Sequence, residues 1–268
     1  MRDELGDEFI DELRRVYDDS VMVGWDFSAL DGRLSCDDPC WDFDADCLAQ
    51  MRAASRVIDM GTGGGERLTT LLRRLHAANS TDASQLYTCP VPVISATEGW
   101  GANIPRAREA LASYGVDVRA YDSEQHMAMP FESGVADFIM NRHEGMNAAE
   151  IARVLAPGGH FFTQQVDGHD DPEIHDWFGA QYAYPDVSAA NFKAELESFG
   201  LRVDVVDEWR GTMEFSDVQA LVAYIGLVPW DAPGFDVEQQ SDRLRELADV
   251  HPIRVTPRRF RVYATKVA

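Results

Sequence analysis

The stretch "ADFIMNRHEGM", Ala136 to Met146, carries an apolar run, Phe138-Ile139-Met140, that stops abruptly at Asn141-Arg142-His143-Glu144. Four polar side chains at the mouth of a buried strand are either a solvated loop or the wall of a site. An imidazole is suited to proton removal at neutral pH, because its unperturbed pKa lies near 6.5. Here His143 would be the base, Glu144 would orient the ring or bind a cationic acceptor, and Arg142 would balance the local negative charge. The plainer alternative is that Arg142 and Glu144 pair with each other while His143 satisfies a backbone group.

A second constellation is "VIDMGTGGGERL", a short apolar run followed by Asp59-Met60-Gly61-Thr62-Gly63-Gly64-Gly65 and then a helical pattern. Glycines let a ligand approach the backbone closely, and a helix start offers free N–H groups. The spacing is D-x-G-x-G-x-G, whereas a nicotinamide oxidoreductase prefers G-x-G-x-x-G, so that class is disfavoured. Glu98 ends the next apolar run, where a carboxylate can accept from both hydroxyls of a ribose. Asp122 ends the one after it.

The elements that must hold these residues alternate. "SRVIDM", "VPVISAT", "VDVRAY", "ADFIM" and "HFFTQQV" read as strands. Leu68, Leu71, Leu72 and Leu75 have the i, i+3, i+4, i+7 spacing of a helix. A second helix has Pro105 in its first turn and Gly115 past its end. A third, "AAEIARVLAPGG", is closed by Pro157-Gly158-Gly159, and a fourth, marked by Phe192, Leu196 and Phe199, stops at Gly200. "LRVDVV" and "RRFRVYATKV" add two last strands. Strands separated by single helices require a parallel sheet. The expected fold is therefore α/β: a seven-stranded, mostly parallel Rossmann-like sheet with helices on both faces.

The expected divisions are a helical and aromatic N-terminal extension over residues 1–54, with Trp25, Phe27, Trp41 and Phe43, then a core over 55–206. A helical insertion over 207–257 and a final strand over 258–268 complete the chain. Within the insertion, "DVQALVAYIGLVPWDAPGF" is apolar nearly all round. It must bury that surface, either as a lid over the open edge of the sheet or as a plain packing helix.

Taken in order, the Asp59–Gly65 loop, Glu98, Asp122 ahead of Met129-Pro130-Phe131, Asp137 and Pro157-Gly158-Gly159 resemble the class I S-adenosylmethionine-dependent methyltransferases. Ala107-Arg108 adds to the match, which runs from Val57 to Val166 and says little about residues 1–50 or 207–257. The resemblance implies S-adenosyl-L-methionine as cofactor and S-adenosyl-L-homocysteine as product. It implies that Asp59, Gly61, Thr62, Gly63 and Gly65 hold the methionine end and that Glu98 holds the ribose. Asp122 and Ser123 would face the adenine amino group, and the Asn141 carbonyl would lie near the methionine amino group. The Asn/Asp-Pro-Pro-Tyr signature of amino methylation on nucleic acid is replaced by Asn141-Arg142-His143-Glu144.

Composition narrows the partners. The 268 residues carry a formal net charge of −22. Residues 1–50 hold 15 acids against 4 Arg. Such a surface repels phosphate backbones, which disfavours nucleic acid as a partner. No stretch reaches the roughly 18 apolar residues of a membrane span, and the acidic, amphipathic N-terminus is unlike a signal peptide, so the expected location is the cytoplasm. The expected function is methyl transfer to an O or N atom of a small molecule. The alternatives are an RNA or protein methyltransferase, or a cofactor-binding module without catalysis. The oligomeric state and the acceptor are not legible. Cys36, Cys40 and Cys47 are clustered without C-x-x-C spacing and read as reduced thiols rather than a zinc site. Cys89, in "TCP", reads as a core residue. His169 and His175, in "DGHDDPEIHDW", read as part of a solvated loop rather than a metal site, so no metal is expected.

Overall fold

A computed structural model describes residues 2–22, 27–80, 91–125 and 127–267. In chain order the elements are α1 (Arg2–Asp19), β1 (Leu34–Cys36), α2 (Phe43–Ala53), β2 (Arg56–Met60), α3 (Glu66–Ser80), β3 (Val93–Glu98), α4 (Asn103–Leu111), β4 (Asp117–Ala120), β5 (Ala136–Arg142) and α5 (Ala148–Val154). There follow β6 (Leu155–Val166), α6 (Pro172–Phe178), α7 (Ala189–Ser198), β7 (Leu201–Arg210), β8 (Met213–Phe215), α8 (Val218–Leu227), α9 (Ser241–Ala248), β9 (Ile253–Val255) and β10 (Arg258–Lys266). Trp25 and Cys89 lie outside the described residues.

The chain divides into two compact units. One, the sheet unit, comprises residues 41–165, 189–208 and 260–268. Its seven-stranded sheet has the order β4-β3-β2-β5-β6-β10-β7. β2 pairs in parallel with both β3 and β5, β3 with β4, and β5 with β6. Strands covered on both faces are continuously apolar; accordingly Val57, Ile58, Met60, Phe138, Ile139 and Met140 are all buried. The leucine stripe of α3 is the other half of this core, with Leu68, Leu71, Leu72 and Leu75 buried among Val57, Ile94 and Phe138. The chain moves outward from β2 through β3 to β4, then returns to lay β5 on the other side of β2. Such a reversal opens a crevice at the carboxyl ends of the strands.

One expected boundary is corrected here. Pro157-Gly158-Gly159 does not separate a helix from a strand; α5 ends at Val154 and β6 already begins at Leu155. The pairing with β5 shifts register between Ala136↔Leu155 and Phe138↔His160, so the Pro-Gly-Gly is taken up in a bulge. A Cβ on Gly159 would stand 2.9 Å from the Ala136 carbonyl oxygen.

The other, the extension unit, comprises residues 1–40, 166–188 and 209–259. Besides its helices it holds a three-stranded sheet in the order β1-β8-β9. Both pairings are antiparallel, Leu34↔Phe215 and Phe215↔Ile253 among them. The insertion is thus not purely helical. α2, grouped with the extension in the sequence, lies in the sheet unit, and residues 166–188 lie in the extension unit. The apolar α8 is the central helix of the extension unit's own core. It starts at Asp217, whose Oδ1 accepts from the Ala220 N–H at 2.8 Å. It packs on α1, α9 and β8. At Gly226 α1 comes so close that a Cβ would stand 2.9 Å from the Tyr17 carbonyl oxygen. Its apolar surface is buried against elements of its own unit.

Candidate active site

The ends of β2, β3, β4 and β5 bring most of the expected site residues together within the sheet unit. Asp59, next to last in β2, is 4% exposed. Burial pushes its carboxyl up to about 6, against the pull of the Arg67 guanidinium. The glycine loop follows, with Gly61 at φ +66°, Gly63 at +62° and Gly65 at +88°. These left-handed conformations need glycine because a Cβ would crowd the following carbonyl. The Thr62 N–H donates to the Thr97 carbonyl at 2.9 Å, tying the loop to β3.

Glu98, the last residue of β3, is 4% exposed, so it is no surface carboxylate. Its Oε2 accepts from the Gly63 N–H at 2.6 Å and its Oε1 from the Trp100 N–H at 2.9 Å. Burial raises its pKa, and the backbone N–H groups of Trp100 and Gly63 oppose that rise. Glu98 thus fixes the glycine loop from the end of β3. Asp122, two residues past β4, shapes the next turn: it accepts from the Glu124 N–H at 2.9 Å and from Gln125 Nε2 at 2.7 Å.

The end of β5 is pinned from β6. Asn141 is completely buried. Its Oδ1 accepts from Thr163 Oγ1 at 3.1 Å and from Gln165 Nε2 at 2.7 Å, while its Nδ2 donates to the Gly145 carbonyl at 3.2 Å. Gln165 Nε2 also donates to the Glu144 carbonyl at 3.0 Å. Arg142 is exposed at the strand end. His143, half-buried, adopts φ +60° and donates its N–H to the Gln164 carbonyl at 2.9 Å. A non-glycine residue in this region costs roughly 1–3 kcal/mol, and such strain collects at functional sites.

That kink decides where Glu144 goes. Its side chain lies over Gly61, where an added Cβ would meet Glu144 Cβ at 2.5 Å. Its Oε1 accepts from Ser123 Oγ at 3.5 Å. Burial and the negative charges of Glu98, Asp122 and Glu124 push its carboxyl up to about 7. Thr163 and Gln165, which hold Asn141, are not singled out by the sequence; their i+2 and i+4 spacing from the buried Phe161 on one strand face is the available signal. Trp100, just past β3 and 50% exposed, gives its N–H to Glu98 and is likewise not singled out by the sequence.

The "DGHDDPEIHDW" segment is not a solvated loop. It folds as α6 with Asp171 as its N-cap residue, and Asp170, Asp171 and His175 are buried in the extension unit. Burial is tolerated because Arg259 Nη1 donates to Asp170 Oδ2 at 2.7 Å and Tyr224 OH donates to Asp171 Oδ2 at 3.3 Å. Cys36 and Cys40 are exposed and Cys47 is buried, all as free thiols. Among the described residues, no group of three or more His, Cys, Asp or Glu side chains is arranged to hold a metal ion.

No family model and no curated protein matches the chain by sequence. Solved structures do match. The YcgJ protein of Bacillus subtilis aligns with a TM-score of 0.56 at 16% identity, covering 84% of this chain and 98% of that one. A putative methyltransferase from Bacillus halodurans aligns with a TM-score of 0.55 at 16% identity, covering 85% of this chain and all (100%) of that one. The strand order, the parallel pairings and these likenesses together identify the fold of this chain as that of the class I methyltransferases.

Proposed function

We propose that this protein is an S-adenosylmethionine-dependent methyltransferase that methylates an O or N atom of a small molecule in the cytoplasm. The observation that carries the reading is the crevice itself. Three left-handed glycines turn the backbone sharply at the end of β2, and the carboxylates of Asp59, Glu98, Asp122 and Glu144 lie around that loop. A ligand that is cationic at one end and carries a ribose fits those groups. Asp59 and the Gly61–Gly65 loop, with Thr62, would hold its methionine end, Glu98 its ribose, Asp122 and Ser123 its adenine, and Asn141 would present its main-chain carbonyl.

The bound cofactor would supply an activated methyl on a positively charged sulfur, whose C–S electron pair stays on sulfur when the methyl moves to the acceptor. The chain's own residues then have three roles. They align the acceptor, which is worth much of the barrier when reacting atoms are held close. They exclude water. They accept the acceptor's proton where it has one to lose. His143 fills the last of these roles, because it sits on a strained backbone at the end of β5, where the switch in strand order opens the crevice. Arg142, exposed at the same strand end, tempers the negative charge around it.

The net charge of −22 supports a small or cationic acceptor over a phosphate backbone. Among the described residues, no helix is long and apolar enough to cross a membrane. Incubating a metabolite extract with the protein and methyl-labelled cofactor should label a single low-molecular-weight product. Label appearing only in added tRNA or in ribosomal protein would replace the small-molecule reading with a macromolecular one. Cofactor binding without any labelled product would mark a non-catalytic module.

A further inference from the structure

The contacts of Glu144 reach well beyond the end of β5. Its side chain reaches back from the end of β5 to lie against Gly61 of the first glycine turn. Its Oε1 accepts from Ser123 Oγ, at the turn after β4, at 3.5 Å. On the cofactor placement proposed above, on which this inference rests, Gly61 serves the methionine end and Ser123 the adenine. A carboxylate in reach of both stands between the two ends, level with the sulfur.

The strongest charges around it share one sign. The charges that weigh most on the Glu144 carboxyl are Glu98 at the end of β3 and Asp122 and Glu124 in the turn after β4, all negative, and the Ser123 hydroxyl donates to it. From β6, Gln165 Nε2 binds only the Glu144 main-chain carbonyl. Its own neighbour, the Gly145 N–H, is the group that favours the carboxylate. The backbone is nevertheless fixed to hold the side chain there. His143 takes the left-handed conformation immediately before it, and Gly145 follows, where a Cβ would stand 2.5 Å from Ser123 Oγ.

We propose that Glu144 is the residue by which the crevice distinguishes the charged cofactor from its product: its carboxylate meets the sulfonium, and that attraction ends when the methyl has left. A unit charge a few ångströms away in a partly buried site attracts an opposite charge more strongly than it would in bulk water, before desolvation is subtracted. A neutral thioether gains none of it. The same carboxylate therefore favours loading of the methyl donor and weakens retention of the spent product.

The test is calorimetry with S-adenosylmethionine and S-adenosylhomocysteine on the wild-type chain, Glu144→Gln and Glu144→Ala, at pH 8. Glutamine keeps the shape and removes only the charge. Expected in Glu144→Gln is a fall of about tenfold in affinity for S-adenosylmethionine, with S-adenosylhomocysteine changed by less than about twofold. In the wild type, affinity for the charged ligand should also rise from pH 6 to pH 8 and that for the neutral-sulfur ligand should not. Equal loss of both ligands, no change in either, or equal tightening of both in Glu144→Ala would overturn the inference; the last would make Glu144 a plug. If the wild type binds neither ligand, the methyltransferase reading itself falls. Binding of both with an unaltered ratio in the variants sinks the role of Glu144 alone.

Discussion

Two groups of carboxylates, one in each unit, show how the same residue type can serve opposite ends. In the extension unit Asp170 and Asp171 are buried beside Asp231, and burial raises all three carboxyls. Their partners come with the chain. Arg259, 18% exposed at its side chain, donates to Asp170, and Tyr224 OH donates to Asp171 and, at 2.8 Å, to Asp231. In the sheet unit Glu98, Asp122, Glu124 and Glu144 face one another around a glycine loop, and the charges weighing most on Glu144 are all negative. The first group has its cation built in. On the reading proposed here, the second draws part of its charge balance from a cationic ligand.

The largest effect should come from breaking the first group. Arg259→Met leaves Asp170 buried without its cation, and removing one partner of a buried pair typically costs about 3–5 kcal/mol. Urea unfolding at pH 8 should show a loss of that size, and a loss below about 1 kcal/mol would mean the extension unit does not depend on its built-in charge balance. In the crevice the corresponding break is steric. Gly63 sits at φ +62° with its N–H on Glu98, so Gly63→Val strains the loop and moves that donor. Cofactor affinity should fall by about 100-fold or more with helix content unchanged by circular dichroism; affinity within threefold of wild type would dissociate the loop from binding.

A subtler break separates binding from chemistry. His143→Ala should lower turnover by about 10²-fold while cofactor affinity stays within about threefold, as expected for a general base. Full activity in that variant would remove His143 from the mechanism and leave alignment to account for the rate.

The smallest effect is in pH. Asp59 is raised to about 6, and Glu144 and Asp231 to about 7, so the folded chain holds protons that the unfolded chain, with ordinary carboxyls, has released. Their stabilising contribution is full below the ordinary carboxyl range and is lost as pH rises through about 6 to 7. The melting temperature of the ligand-free protein should fall by a few degrees between pH 5 and pH 8. On the proposed placement the cofactor's sulfonium meets Glu144 but not Asp231, so the increment in melting temperature on adding it should be larger at pH 8 than at pH 6. Equal increments would show that Glu144 does not answer to the ligand.

The sheet and the crevice were legible because local patterns encode them: continuous apolar strands, the Leu68–Leu75 stripe, and polar residues at strand ends. The extension unit was not, for reasons of distance and length. Its sheet joins three strands of three residues each, too short for periodicity, and pairs Leu34 with Phe215 across most of the chain. Asp170 and Asp171 read as solvated because Arg259, the residue that permits their burial, lies far along the sequence. Glu144 was found as a polar residue at the right strand end. Its reach to Gly61 was hidden, since it depends on the left-handed turn at His143 that no pattern announces.

The central claim is that the crevice takes a methyl-donating cofactor, and titration calorimetry of the intact chain addresses it most directly. S-adenosylmethionine and S-adenosylhomocysteine should each bind at one site per chain, with NAD giving no comparable heat. Saturable NAD binding, or no heat from either adenosyl ligand at millimolar concentration, would contradict the account.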